Sequence, residues 1–530
     1  MKNLYSSDLT KSTYDAIIIG SGVGGLTTAV FLAKAGKKVL VLEKHYVAGG
    51  FTHTFKRKKF EWDVGVHYVG QMNLKNNLMR KAFDYLSDGK LKWADMGEVY
   101  DQTIIEGKKY NFKKGRENQI LQMIEYFPKE EIAIRKYYDL VKNIGSSYTT
   151  FFSERSMPFW LSKTIGHFMR KKFYVFSKKT TYEVLHSITS NEKLITVLCS
   201  QCGNYGLSPE KSSFAIHGMI VEHFIEGGNY PIGGGSSIHK KLIDVLETNN
   251  GIVAVKADVK NIIIEDNKAV GVEMVNGDKI YASTVVSNAG AHNTFNKLIL
   301  KNEQKDENTI ELNKIKPSIS HVCIYVGLNA SDEELKLPKH NIWLFDNYEL
   351  DNSQKDHLKT KNSSSPISYI SFPSAKDPDW KINHPGKSTI QVLGSFPYEW
   401  MQEWEEGKWQ KRGEDYELVK EKIKNYLLEK LYLTLPQTKD RIEICELSTP
   451  LSTKHFSNYS NGEIYGLEHT PERFNLRQLR AKTNYKNLFL TGQDIVCVGV
   501  GAAMFSGLIT SISILNRNLL WKIMRYKFVD

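Results

Sequence analysis

Two stretches of the chain carry no charge. One is Ala16–Ala33, AIIIGSGVGGLTTAVFLA; the other runs from Ile495 to Asn516 around VGVGAAMFSGLITSISIL. Each approaches the ~20 apolar residues that suffice to span a bilayer, but the internal patterns point elsewhere. The first opens on the β-branched run Ile17–Ile19, which reads as a buried parallel strand. Gly20, Gly22 and Gly25 follow in G-x-G-x-x-G spacing, with Ser21, Val23 and Gly24 between them. An Ala/Leu/Thr-rich helix ends near Gly36, and KKVLVLEK (Lys37–Lys44) gives a second strand. The second stretch follows the apolar strand NLFLTG and is Gly/Ala-rich in its first third. Further on, Leu508, Ile512, Leu515, Leu519 and Ile523 share one helical face. It reads as a last helix buried in a folded domain, with Gly499, Gly501 and Gly507 leaving room for a flat ring system.

The first stretch is a β-α-β unit with a chemistry. Gly20 makes the turn out of the strand, Gly22 lets the backbone approach a pyrophosphate, and Gly25 lets the helix pack on the strand. The helix N-terminus offers free N–H groups to the phosphates. Glu43 closes the second strand, where an acid accepts from ribose hydroxyls and repels a 2′-phosphate. The nucleotide expected is therefore FAD or NAD rather than NADP.

The chain is 530 residues long, 41% hydrophobic and 11% aromatic, with a formal charge of +12. Length predicts two or three domains, composition argues against disorder, and the basic surplus points to anionic partners. Five cysteines are too few for a disulfide framework and favour a reducing compartment. The start, MKNLYSSDLTKSTYD, has no apolar core of signal-peptide length. A cytoplasmic protein is expected.

Further motifs carry a resemblance. Gly49-Gly50 and FEWDVGVHYVG follow the nucleotide unit, and NLFLTGQD (Asn487–Asp494) stands near the far end. These resemble the glutathione-reductase-type FAD fold, and more narrowly the phytoene desaturase, carotenoid isomerase and retinol saturase group. SFAIHGMIVEHFIEGGNYPIGGGSS, VVSNAG, SFPSAKDPDW, PGKST and YLTLPQTKDRIEICELSTPLS are most similar to the retinol saturase branch. The resemblance runs from Tyr14 to about Leu520. It implies that Gly20, Ser21, Gly22, Val23, Gly24 and Gly25 bind the FAD pyrophosphate. Glu43 and Lys44 would meet the adenosine ribose, and Gly49 and Gly50 the phosphates or ribityl chain. Val259 would meet the adenine, and Asn288, Gly492 and Asp494 the ribityl or pyrophosphate. Val500 and Gly501 would place N–H groups at the flavin pyrimidine ring, where reduced flavin carries negative charge.

The resemblance implies an α/β fold: a discontinuous Rossmann-like FAD-binding domain with an inserted mixed α+β substrate domain. The first takes residues 14–75, 230–295 and 480–520, the second 76–229 and 296–479. Between Gly251 and Gly290, IVAVKADVKNIIIE, AVGVEMV and KIYASTVVS read as strands separated by DNK and NGD turns. SISHVCIYVGL and STIQVLGSFP read as strands of the inserted domain. Ile120–Ile144, broken at Pro128, and Glu414–Tyr432 read as helices. Lys361–Pro366 (KNSSSP) reads as a loop.

Other features take plainer readings. Cys199 and Cys202 form C-x-x-C but lack two further zinc ligands, and read as small buried residues. PIGGGSSIHKK lacks the Gly-Lys-Ser/Thr ending of a phosphate loop and reads as a turn into a helix. His45, His53, His67, His217, His223 and His239 form no metal-ligand pattern, so no metal is expected. Phe151–Thr180 mixes Phe and Trp with seven basic residues against Glu154. Two readings stay open for it: an interfacial contact with an anionic membrane, or a solvated basic helix with its rings turned inward. Nucleic acid is disfavoured, since no nucleic-acid fold signature occurs.

Only one dinucleotide fingerprint is present, which leaves the electron donor or acceptor open. The resemblance implies an FAD-dependent saturase or desaturase acting on a C=C bond of an apolar polyene. A cis–trans isomerase using reduced FAD, and a non-catalytic lipid escort on the same fold, are the alternatives. A saturase must deliver a proton beside the hydride. The expected donors are His67, at its ordinary pKa, then Tyr465, with Tyr68 and Glu468 nearby.

Overall fold

The computed structural model describes residues 4–305, 309–361 and 363–526. A five-stranded parallel sheet gathers strands from distant parts of the chain. In spatial order these are Ile252–Val255, Val39–Glu43, Ala16–Ile19, Val285–Ser287 and Leu488–Leu490. All four residues of Ala16–Ile19 are buried because both faces are covered. Ile18, Val39 and Val41 pack with the helices Val23–Ala33, Ser236–Thr248 and Val500–Leu515. Ile17, Ile19, Leu40 and Leu42 pack instead on a three-stranded antiparallel sheet, Val259–Glu265, Lys268–Met274 and Lys279–Tyr281. Burial on both faces explains why the strand reads as an unbroken apolar run.

IVAVKADVKNIIIE is two strands rather than one. Lys256 takes a left-handed turn (φ 53°), so Ile252–Val255 joins the parallel sheet and Val259–Glu265 the antiparallel one. The final apolar stretch also divides. Its helix ends at Leu515 with Asn516 in the left-handed C-cap conformation. Ile523 lies in a separate short helix, Leu520–Arg525, which Leu519 precedes. A Cβ placed on Gly507 would lie 2.6 Å from the Gly24 carbonyl oxygen and from the Thr27 Cβ. Gly507 thus serves backbone contact with the first helix, not a ring system. No helix among the described residues is long and apolar enough to cross a membrane.

A seven-stranded sheet forms the second layer. Its order is Ile442–Ser448, His321–Leu328, Ser388–Ser395, Ile367–Ser371, Asn341–Phe345, Val99–Ile105 and Lys108–Lys113. Helix Glu414–Thr434 covers one face, where Ile423, Leu427 and Leu431 meet Val322, Ile324 and Val392. The opposite face carries a row in register across five strands: Ser448, Cys323, Leu393, Tyr369 and Trp343. From that row Ser448, Leu393, Tyr369 and Trp343 line a cavity that also borders the glycine loop after Ile19. The break at Pro128 is seen: helix Arg116–Tyr126, a 3-10 turn, then helix Glu131–Gly145. Lys361 and residues 363–366 lie in no helix or strand, and Asn362 lies outside the described residues.

Phe151–Thr180 is not one basic face. Phe151, Phe152, Phe173 and Phe176 point into the core. Arg170 is buried and pairs with Glu154 at 2.6 Å, and Arg155 donates to the carbonyls of Leu479 and Ile495. What remains outside includes Phe159, Trp160, Ile165, Phe168 and Val175, with Lys163, Lys171, Lys172, Lys178 and Lys179.

Candidate active site

The glycine loop is held from three sides. Gly20 turns out of its strand at φ 93°, and a Cβ on Gly25 would lie 2.2 Å from the Gly20 carbonyl oxygen. The Asn288 side chain lies over the loop: Cβ atoms on Gly22 and Gly24 would each come within 2.9 Å of its amide. On the third side, Glu43 Oε2 accepts from the Ser21 N–H (2.9 Å) and hydroxyl (2.6 Å), and Oε1 accepts from the His45 N–H (2.8 Å). The Ser21 hydroxyl in turn accepts from the Gly49 N–H. Gly50 brings its backbone beside Gly22, where its Cβ would be 3.0 Å from Gly22 Cα. Lys44 pairs with Asp258 at 3.2 Å.

A cavity of about 810 Å³ opens at this loop. Gly20, Gly22, Val23, Gly24, Gly49 and Gly50 form its narrow wall, with Glu43, Lys44 and Val259 at the outer end. Asn288, Gly492 and Asp494 close the side nearest the fourth and fifth strands of the parallel sheet. Asp494 is buried; its oxygens accept from the Ala291 N–H (2.8 Å) and the Leu467 N–H (3.0 Å). Gly499 and Val500 bring the last helix to the wall, and this end has no side-chain cap. Its first N–H groups lack intrahelical partners. Gly501 lies one step away, packed on Met79, whose sulfur would be 2.5 Å from an added Cβ. Ser21 and Gly25 act from beneath the loop.

At its far end the cavity meets the row on the seven-stranded sheet. Trp343, Tyr369 and Leu393 line it, with His321 and Tyr325 from the neighbouring strand. His67 stands on the opposite lip, its ring 5.1 Å from Tyr369, and Tyr369 is 4.3 Å from Trp343. Tyr465 also lines the cavity, its hydroxyl donating to the Gly203 carbonyl (2.7 Å). Tyr68 turns away: its hydroxyl donates to buried Asp101 (2.8 Å). Glu468 is held by its N–H on the Lys316 carbonyl.

Electrostatics change the expectation for the proton. Burial, aided by the Lys376 and His321 charges, lowers His67 to about 3. Its imidazole is neutral at pH 7. Burial raises Tyr465 beyond the ordinary tyrosine range. Neither is a ready acid. Cys202 lines the cavity, but burial pushes its thiol up to about 12 and raises Cys199 well above the ordinary thiol range, so neither is a thiolate. Among the described residues no cluster suits a metal ion.

Sequence reading missed Trp343, Tyr369 and His321. Their strands are buried on both faces, so NIWLF and ISYIS show no alternation that would mark the cavity side. Lys376 lies inside SFPSAKDPDW, a segment singled out for its resemblance and not for its lysine.

Comparison with known proteins follows the same lines. Residues 18–86 match the family described as an NAD(P)-binding Rossmann-like domain. The all-trans-retinol 13,14-reductase of Danio rerio is 35% identical over 533 residues, 95% of this chain and 86% of that protein. A chloroplastic prolycopene isomerase 2 of an Oncidium hybrid cultivar is 28% identical over 468 residues, 86% of this chain and 75% of that protein. An oxidoreductase from Methanosarcina mazei, of known structure, superposes with a TM-score of 0.62 at 17% identity. The match covers 96% of this chain and all of that one, a likeness of fold.

Proposed function

The chain belongs to the all-trans-retinol 13,14-reductase family, and on that footing we propose that it is an FAD-dependent oxidoreductase reducing a C=C bond of an apolar polyene. One observation carries the reading: a single continuous cavity joins the glycine loop to an aromatic chamber of Trp343, Tyr369, Tyr325 and Tyr465. The aromatic rings of that chamber suit a long unsaturated chain. The loop fits a dinucleotide, because Cβ atoms on Gly22 and Gly24 would meet Asn288, and that on Gly24 also the Gly492 N–H. Gly20 to Gly25 would hold the pyrophosphate, Glu43 the ribose and Asp494 the ribityl side. When bound and reduced by an external two-electron donor, the flavin would supply the hydride that one carbon of the double bond receives. His67 would pass the proton to the other carbon as a neutral relay, taking it from water that enters the cavity on one ring nitrogen and releasing it from the other.

The test is anaerobic incubation of the reduced holoprotein with retinoids and carotenoids, followed by product mass. A gain of two hydrogens supports the proposal. An unchanged mass with altered retention would make the protein an isomerase. Protein purified without flavin would leave the escort reading standing.

Flavin content gives an independent check. Glu43→Ala removes the acceptor of the Ser21 N–H, and flavin affinity is expected to fall about tenfold, one hydrogen bond to a charged group. Asp494→Ala strands two buried N–H donors at about 1–3 kcal/mol each and is expected to lose more. Full flavin-to-protein absorbance in both variants would move the cofactor elsewhere.

The protein is also proposed to touch anionic membrane through the exposed residues of Phe151–Thr180. Trp160 is 69% exposed and Phe168 77%, with Lys163 and Lys171 beside them. Each lysine contributes about 1 kcal/mol at such a surface. Lys163→Glu with Lys171→Glu is expected to weaken flotation with phosphatidylserine vesicles by about 30-fold or more. Wild-type protein that never floats would mark the patch as merely solvated.

A further inference from the structure

Directly behind His67 the fold buries a lysine. Lys376 ends the short helix Pro373–Lys376, just after the strand Ile367–Ser371, and is 2% exposed. An ammonium taken out of water costs several kcal/mol unless its donors are satisfied. Its Nζ donates to three uncharged oxygens: the His67 carbonyl (3.0 Å), the Ser371 hydroxyl (2.7 Å) and the Asn341 amide oxygen. Asn341 then donates from its amide nitrogen to Asp101 (3.0 Å). The other oxygen of Asp101 accepts from the Tyr68 hydroxyl and from Gln201, both at 2.8 Å. The loop closes, since Tyr68 follows His67 in the chain. One residue pair on the cavity lip is gripped at the His67 carbonyl by a cation and at the Tyr68 hydroxyl by an acid.

We infer that Lys376 is the positioning residue of this lip: through the closed ring Lys376–Asn341–Asp101–Tyr68 it fixes the His67 main chain and hence the imidazole against the aromatic floor.

Donor counting supports the assignment. An ammonium has three N–H bonds and Lys376 uses three; a neutral amine has two and a lone pair, so on deprotonation one contact is lost or, at the Ser371 hydroxyl, reversed. The groups facing Lys376 are Asp101 and Asp63, His67, His340 and the Tyr230 ring at 5.9 Å. Burial outweighs the two acids and lowers Lys376 to about 7. The charge-assisted grip on His67 is therefore complete below pH 7 and weakens as pH rises through that value. The same cation repels a proton on His67, which also faces His321 and Tyr369.

The experiment uses the flavin-loaded protein, with two readouts: the pH profile of kcat on the polyene, and the histidine ring resonances, assigned through His67→Gln. The first rests on the proposed function; the second needs no substrate. Wild-type kcat is expected to fall above about pH 7. Lys376→Met should keep its flavin, lose about tenfold or more in kcat, lose the alkaline limb, and titrate His67 about one pH unit higher. Lys376→Arg keeps a cation at all working pH values, so it should abolish the limb while His67 stays low. Unchanged His67 titration and an unchanged limb in Lys376→Met would overturn the inference. Should that variant fail to fold, Asp101→Asn keeps the shape and removes the charge. Its limb is expected at lower pH, and an unmoved limb would overturn the inference equally. Wild-type protein that reduces no polyene, while His67 still responds to Lys376, would sink the proposed function and leave this inference in place.

Discussion

A Gly25→Ala protein is expected to emerge from purification with at most about a tenth of the wild-type flavin. The added methyl group would lie 2.2 Å from the Gly20 carbonyl oxygen and 3.3 Å from the Asn288 Cβ. The nearer obstacle is backbone, so no rotamer change relieves it. Overpacking of this kind costs about 1–3 kcal/mol, and an obstacle that cannot rotate puts it at the upper end. Relief must come from moving the helix Val23–Ala33 off its strand, which opens the loop that would hold the pyrophosphate. Since about 1.4 kcal/mol is tenfold in affinity, the flavin is lost before the fold is. Gly36→Ala is the control: Gly36 has φ 82° but nothing within 4 Å of an added Cβ. That variant bears backbone strain far from the loop and should stay flavin-loaded. A flavin-replete Gly25→Ala protein would show that this loop does not hold the cofactor.

His67→Gln is expected to keep flavin, allow its reduction, and lose about 10²-fold in polyene reduction. Glutamine can donate and accept hydrogen bonds, but cannot take a proton on one atom while releasing one from another. The geometry favours His67 over Tyr465, since the Tyr465 hydroxyl already donates to the Gly203 carbonyl. His67 Nδ1 is buried without a protein hydrogen-bond partner, as are Trp343 Nε1, Tyr369 Oη and His321 Nδ1. Burial costs the imidazolium, not the neutral ring, so the proton passes through His67 without residing there. Unchanged turnover in flavin-replete His67→Gln would dismiss the relay, and Tyr465→Phe would be measured next.

Gly20 and Gly25 were legible because their requirements are local: a turn at positive φ, and a helix packed on the strand that precedes it. Pro128 was legible for the same reason. Arg170 was not. Its spacing matches the exposed Lys171 and Lys172, and only the arrival of Glu154 from another helix buries it. The face of Gly507 was misjudged because the neighbour it accommodates, Gly24, is remote in sequence.

The α/β fold was implied by the family resemblance; by residue pattern alone the sequence determined the β-α-β unit and the buried helix after NLFLTG. These follow from contacts within a few tens of residues and from periodicity, which a linear reading contains. Tertiary structure alone decided the chamber. Every residue of His321–Leu328 is buried, so no polar–apolar alternation marks which side faces the cavity and which meets helix Glu414–Thr434. Strand register put Trp343 beside Tyr369 and Tyr369 beside Leu393, across gaps of chain that no spacing rule spans. The charge states of His67 and Lys376 were settled there too, because desolvation depends on what closes over a side chain, and that is fixed only when the distant strands have come together.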